Sequence, residues 1–270
     1  TISGTLTNPT NVVQTATYTV IPSLNGCSGS QFDVVISVNP KPDVNATPNV
    51  VLCAGETSTQ IDFTGNVAGA TYTWSSSTTS IGIAASGTNT IPSFTAINAG
   101  TTPVIATITV APSASTCTGL PKTFTITVNP KPTVNAILNL VKCNTAASGI
   151  ISFTGNVAGT TFDWTNDNTS IGLAATGSGN IPNFTTTNSG ITPVIATITV
   201  SPKANGCSGP PKTFTITVNP TPTVDSPLNQ TVCNGQLTTA TLFSGAISNT
   251  TYNWTNSNPT IGLAASGVGA

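Results

Sequence analysis

The chain has no histidine, no arginine and no methionine, and only 5% of its 270 residues are charged. Each absence removes a class of function. Without histidine, Ser-His-Asp and Cys-His catalytic constellations cannot be assembled from these residues. A zinc site of mixed Cys and His ligands is excluded for the same reason. Six lysines against seven acidic residues leave a net charge of −1, so no field draws nucleic acid or an anionic membrane to the surface. No apolar run is long enough for a transmembrane helix. Phosphate-loop and dinucleotide fingerprints are missing too. Strong helix formers are scarce, so helical architectures are disfavoured from the outset.

What is present instead is repetition. Trp74, Trp164 and Trp254 are spaced by 90 residues, as are Cys27, Cys117 and Cys207, and Cys53, Cys143 and Cys233. The string Pro103–Val110 is repeated identically at Pro193–Val200. A period this long exceeds the roughly 20–50 residues of solenoid units. It fits one all-β sandwich domain of about 100 residues. Val38-Asn-Pro-Lys-Pro42 returns as Val128–Pro132 and, with Thr for Lys, as Val218–Pro222. A Pro-x-Pro pair fixes φ twice and removes two donors, so it cannot lie inside a central strand. Pro40, Pro42, Pro130, Pro132, Pro220 and Pro222 are therefore read as short, stiff, extended linkers. The expected domains are 41–130 and 131–220, both complete. Residues 1–40 are the C-terminal part of one repeat, and 221–270 the N-terminal part of another. We accordingly expect a window from a longer protein, its targeting and anchoring segments lying elsewhere.

Strands follow from period-2 patterning. Val104, Ala106, Ile108 and Val110 alternate with Ile105, Thr107 and Thr109, while Phe124, Ile126 and Val128 alternate with threonines. Ile61/Phe63, Tyr72/Trp74, Val50–Leu52 and Ile91–Thr95 supply more strands. Six or seven short strands with turn signals between them indicate an immunoglobulin-like β-sandwich. Trp74, Trp164 and Trp254 take the core position on the third strand. Outward faces are covered with threonine, which supports strand conformation without charge.

The six cysteines, two per repeat, point to disulfides in an oxidising, extracellular compartment. Two schemes are open. Pairing within repeats joins Cys53 to Cys117 and Cys143 to Cys207. Pairing between repeats joins Cys53 to Cys207. An eight-residue strand spans about 26 Å, whereas bonded cysteines hold their Cα atoms about 5.5 Å apart, which favours the second. Asp163 and Asp167 flank Trp164 as a conceivable calcium corner, but Thr73/Ser77 and Asn253/Ser257 stand there in the other repeats. We expect neither metal nor cofactor.

The segments Phe63–Trp74 and Phe153–Trp164, the Ile-Gly-Ile/Leu-Ala-Ala strings that follow, Pro-Val-Ile-Ala-Thr-Ile-Thr-Val, Cys-x-Gly and Phe-Thr-Ile-Thr-Val-Asn-Pro occur in order. This set resembles the PKD-like, immunoglobulin-like tandem repeats of giant secreted surface proteins of the Bacteroidota, of the gliding-motility adhesin type. Residues 1–40 keep the Cys27 loop and the linker but diverge before Val20, where Tyr18 replaces an isoleucine. The resemblance implies beads-on-a-string β-sandwiches, export through the type 9 secretion system, and display at the cell surface. We expect a non-catalytic structural stalk whose partners are neighbouring repeats, other filament copies or surface polysaccharide. Alternative expectations are a carbohydrate-binding array and spacer domains of a large secreted hydrolase.

Overall fold

The structure is a computed structural model and describes residues 3–269. Among these residues there is no α-helix, and the only helical turns are two three-residue 3-10 segments, Thr169–Ile171 and Pro259–Ile261. The chain is all-β and built of tandem immunoglobulin-like sandwich repeats. Residues 3–40 contribute β1 (Gln14–Val20), β2 (Ser23–Leu24), β3 (Cys27–Ser28) and β4 (Phe32–Val38). The next repeat contains β5 (Val50–Cys53), β6 (Ile61–Asp62), β7 (Thr71–Ser76), β8 (Ser86–Thr88), β9 (Thr90–Ile91), β10 (Val104–Ala114), β11 (Cys117–Thr118) and β12 (Lys122–Asn129). Its successor contains β13 (Leu140–Cys143), β14 (Thr161–Asn166), β15 (Thr176–Ser178), β16 (Val194–Ala204), β17 (Cys207–Ser208) and β18 (Lys212–Asn219). The last segment has β19 (Asn253–Thr255) and β20 (Ser266–Val268).

One sheet dominates each complete repeat. Its order is β5-β12-β10-β7-β8 in the first and β13-β18-β16-β14-β15 in the second. The long hairpin β10–β12 puts Ile108 opposite Phe124 and Ala106 opposite Ile126, so the apolar members of both strands share one face. Ile108, Ile126, Ile198 and Ile216 are fully buried, whereas Ile105, on the other face, is 58% exposed. That alternation is the pleat expressed as burial. The second layer is slight. It consists of the β6–β9 pair and a Thr57–Thr95 bridge in the first complete repeat. In the next it shrinks to single bridges, Ala147–Thr185 and Ile151–Ile181, so the strand expected around the counterpart of Ile61 does not form there.

Two separate cores result. One gathers Phe63, Trp74, Ile81, Ile91 and Ile108; the other gathers Phe153, Trp164, Ile171, Ile181 and Ile198. They lie in two compact units, Thr1–Lys131 with Ala204–Cys207, and Pro132–Lys203 with Ser208–Ala270. Trp74 is 3% exposed and Trp164 5%. Trp254 is only half-buried, because β19 pairs with β20 alone, whereas β7 and β14 each have a second neighbour.

The first strand sets the direction of the repeat. β5 runs parallel to β12, with Val50 beside Ile126 and Cys53 beside Asn129. β13 and β18 repeat this pairing, with Cys143 beside Asn219. The chain thus enters near the start of the last strand and leaves at its opposite end.

The packing predicts a sharp contrast between neighbouring positions. Ile108→Ala or Ile198→Ala should lower stability by about 2–5 kcal/mol. Ile105→Ala should change it by no more than about 0.5 kcal/mol. Denaturant unfolding followed by tryptophan fluorescence checks both.

Candidate functional site: the joint at the exit end of the sheet

Asparagines spaced by 90 residues recur near the end of each repeat's last strand. Asn98 sits in the loop before β10 and donates through Nδ2 to the Thr102 carbonyl (2.9 Å) and the Val128 carbonyl (2.7 Å), while its Oδ1 accepts from the Gly100 N–H (2.9 Å). Asn188 makes the same three bonds to Thr192, Val218 and Gly190. Asn8 makes them to Val12, Val38 and Thr10. One amide thus closes its own loop and satisfies a carbonyl near the end of the final strand. These asparagines escape a reading that looks for titratable groups. The available signal was their spacing of 90 residues.

Asn129 ends β12. Its carbonyl accepts from the Ala54 N–H (2.9 Å), and its Nδ2 donates to the Asn205 carbonyl (2.8 Å). Asn39 donates to the Ser115 carbonyl in the same way (2.9 Å). The acceptors are hairpin tips. Asn205 and Gly206 have φ of 50° and 79°, and Asn25 and Gly26 have 50° and 87°. Positive φ at both central residues is the two-residue turn that Asn-Gly favours. Ser115 and Thr116 hold the same conformation at 46° and 70° without that advantage.

The prolines are not bare spacers. Pro40, Pro42, Pro130, Pro132 and Pro220 are buried, and Pro222 is exposed. Gly119 explains part of this, because a Cβ there would collide with the Pro42 carbonyl; Gly209 stands in the same relation to Pro132. The Cys-x-Gly motif therefore lets the backbone at Pro42 and Pro132 lie directly on a hairpin.

The cysteines fall into this frame. Cys53 and Cys207 form a disulfide with Cα atoms 5.6 Å apart, and Cys207 is buried. Both belong to the same compact unit, in which the tip Ala204–Cys207 groups with Thr1–Lys131. The pairings Cys53–Cys117 and Cys143–Cys207 are not formed. Cys53 lies beside Asn129, whereas Cys117 pairs with Ala114, beyond the Lys122 end of β12. An eight-residue strand, about 26 Å, separates the two ends. Cys27, Cys117, Cys143 and Cys233 are free thiols. The Glu56 carboxylate accepts from the Cys53 N–H (2.7 Å) and closes the turn after β5.

Charged groups take structural roles here. Asp163 forms an ion pair with Lys203 (2.9 Å). Asp167 accepts from the Thr197 N–H (2.7 Å), and Ser77 does the same for Thr107 (2.9 Å). The two aspartates thus do separate jobs, and no metal-binding cluster of acidic, Cys or His residues occurs among the described residues. The hydrogen bond from Lys122 holds the Asp43 carboxyl below the ordinary carboxylate range, with further help from the Val44 N–H. Burial pushes the Tyr72 phenol up. A cleft lined by Phe243, Tyr252 and Trp254 corresponds to the ground that β10 and β12 cover over Phe63, Tyr72 and Trp74.

The PKD-like domain family model matches residues 1–42, 50–132 and 144–222, most of the chain. The chain belongs to the PKD-like domain family. No curated protein matches it in sequence. Among solved structures, immunoglobulin domains 1–5 of Sidekick-1 share 12% identity over 78% of this chain and 47% of theirs, at a TM-score of 0.40. The insect immune protein hemolin shares 12% over 76% and 56%, at 0.34. Protocadherin gammaB7 EC3-6 shares 14% over 91% and 71%, at 0.36. The PKD-like chain spans about half the length of the first two.

Two outcomes test the site's energetics. Asn188→Ala should cost about 1–3 kcal/mol, because it strands the buried Val218 carbonyl near the end of β18; equilibrium unfolding measures this. The lowered Asp43 value means that folding favours the carboxylate. Its contribution is present above the ordinary carboxylate range and is lost as pH falls through the lowered folded value. Asp43→Asn should remove that acid-side loss in urea titrations from pH 7 down to pH 2.

Proposed function

We propose that this PKD-like array is a stalk segment of a long extracellular adhesin or filament at the cell surface, giving length and mechanical strength rather than catalysis. The observation that carries the reading is the recurring joint. Asn39–Ser115 and Asn129–Asn205 are the same hydrogen bond 90 residues apart, and the Cys53–Cys207 disulfide lies two residues from the second of them. What recurs is the connection from one repeat to the next. The domain boundaries at 41–130 and 131–220, with flanking part-repeats, belong to this reading. A disulfide is supported by an oxidising compartment. Low charge lets repeats and neighbouring copies approach with little repulsion. Export by a type 9 system from a member of the Bacteroidota completes the proposal, on the motif resemblance alone.

A carbohydrate-binding array is less well supported. The rings that would stack on sugar, Tyr72, Trp74, Phe162 and Trp164, are buried in both complete repeats. Antibodies to this chain should label intact cells of the source organism, and mild external protease should abolish the label. Label seen only after permeabilisation would overturn surface display. On a panel of immobilised polysaccharides the chain should show no saturable retention; tight, saturable retention would overturn the pure-stalk role.

A further inference from the structure

We infer that the Cys53–Cys207 disulfide acts as a tension bypass, taking the interior of the array out of the path of mechanical load. This rests on the stalk reading and deepens it. The relevant observation is topological. The bonded cysteines are separated by 154 positions in sequence but by only 5.6 Å between Cα atoms. Tension applied at the two ends of the chain runs along the covalent backbone. On reaching Cys53 it has two routes to Cys207: through residues 54–206, or through the disulfide. The disulfide is the shorter by far, so it carries the load and the intervening segment stays slack.

The strand arrangement shows what this protects. β5 lies parallel to β12, the last strand of its repeat. Without the disulfide, pulling on the two ends of that repeat would draw β5 and β12 past each other and shear the ladder between them. With it, force leaves β5 at Cys53, the end beside Asn129, and re-enters the chain at β17, just before β18. The hairpin β10–β12, strands β14 and β16, and most of both cores lie in the slack segment. The bond is placed to persist, since Cys207 is buried and the Asn129–Asn205 hydrogen bond lies two residues from it. In this chain the reversible extension of two repeats is therefore under the control of one covalent bond.

The alternatives fail on the same map. Cys27, Cys117, Cys143 and Cys233 are free, so no second bond shares the load among the described residues. The two ion pairs, Lys122–Asp43 and Lys203–Asp163, are exposed and cannot substitute for a covalent link.

Single-molecule stretching of the full 270-residue chain, tethered at its two ends, tests the inference. Oxidised chains should reach a total contour length shorter by about 500 Å than chains held in a thiol reductant, from 154 residues at roughly 3.4 Å each. Cys53→Ser and the Cys53→Ser/Cys207→Ser double variant should show the long contour under oxidising conditions. Equal contour lengths for oxidised and reduced wild-type chains would overturn the bypass. The stalk reading fails separately: it requires discrete unfolding peaks from reduced chains, and smooth, featureless extension would sink it while leaving the contour difference intact.

Discussion

The parallel pairing of β5 with β12 is the constraint on which the rest of the structure depends. A first strand laid antiparallel along the edge would return the chain to the end it came from. Laid parallel, with Val50 beside Ile126 and Cys53 beside Asn129, it makes the repeat a through-route. Entry lies near Lys122, where Asp43 pairs with it, and exit lies at Asn129. The exit end then becomes the place where contacts repay repetition. Asn98 satisfies the Val128 carbonyl there, Ala54 donates to Asn129, and Cys53 stands ready to be bonded. The same pairing puts Cys53 a strand's length from Cys117, which is why the disulfide runs from Cys53 to Cys207.

A chain with so few charges relies on other polar groups. Here the asparagines take that role, because the amide side chain offers both a donor and an acceptor. Asn49 and Asn139 accept from the Thr125 and Thr215 N–H groups beside the edge strands. Asn45 and Asn135 reach Thr64 and Thr154. Asn66 and Asn156 accept from the N–H groups of Asp43 and Thr133, just after the prolines. Irregular segments with few ladder partners are held at the surface by these bonds. The abundance of asparagine thus reports loops fixed by side chains rather than disorder.

Much of this was legible in the sequence because the dominant sheet obeys a simple period. Alternation over Val104–Val110 and Phe124–Val128 marks the hairpin and its buried face, and the 90-residue spacing marks the repeat. The tryptophans of the two complete repeats are core. Other features depend on tertiary geometry that periodicity does not encode. Whether β5 pairs parallel or antiparallel is decided by the partner strand, so the choice between disulfide schemes stayed open. The second layer is too short to show a period, and around Ile151 it dissolves into a single bridge. The prolines signalled joints, but their burial depends on Gly119 and Gly209 letting the hairpins close over them. Trp254 shares the motif of its counterparts yet stays half-buried, because β19 pairs with β20 alone.

Peptide mapping by mass spectrometry under non-reducing conditions, with free thiols blocked before digestion, tests the central claim most directly. Parallel entry of β5 predicts a cross-linked species joining the peptides that contain Cys53 and Cys207, with Cys117 and Cys143 recovered as blocked thiols. Cross-links joining Cys53 to Cys117 and Cys143 to Cys207 would contradict the account, because they would place the two ends of β12, and those of β18, together.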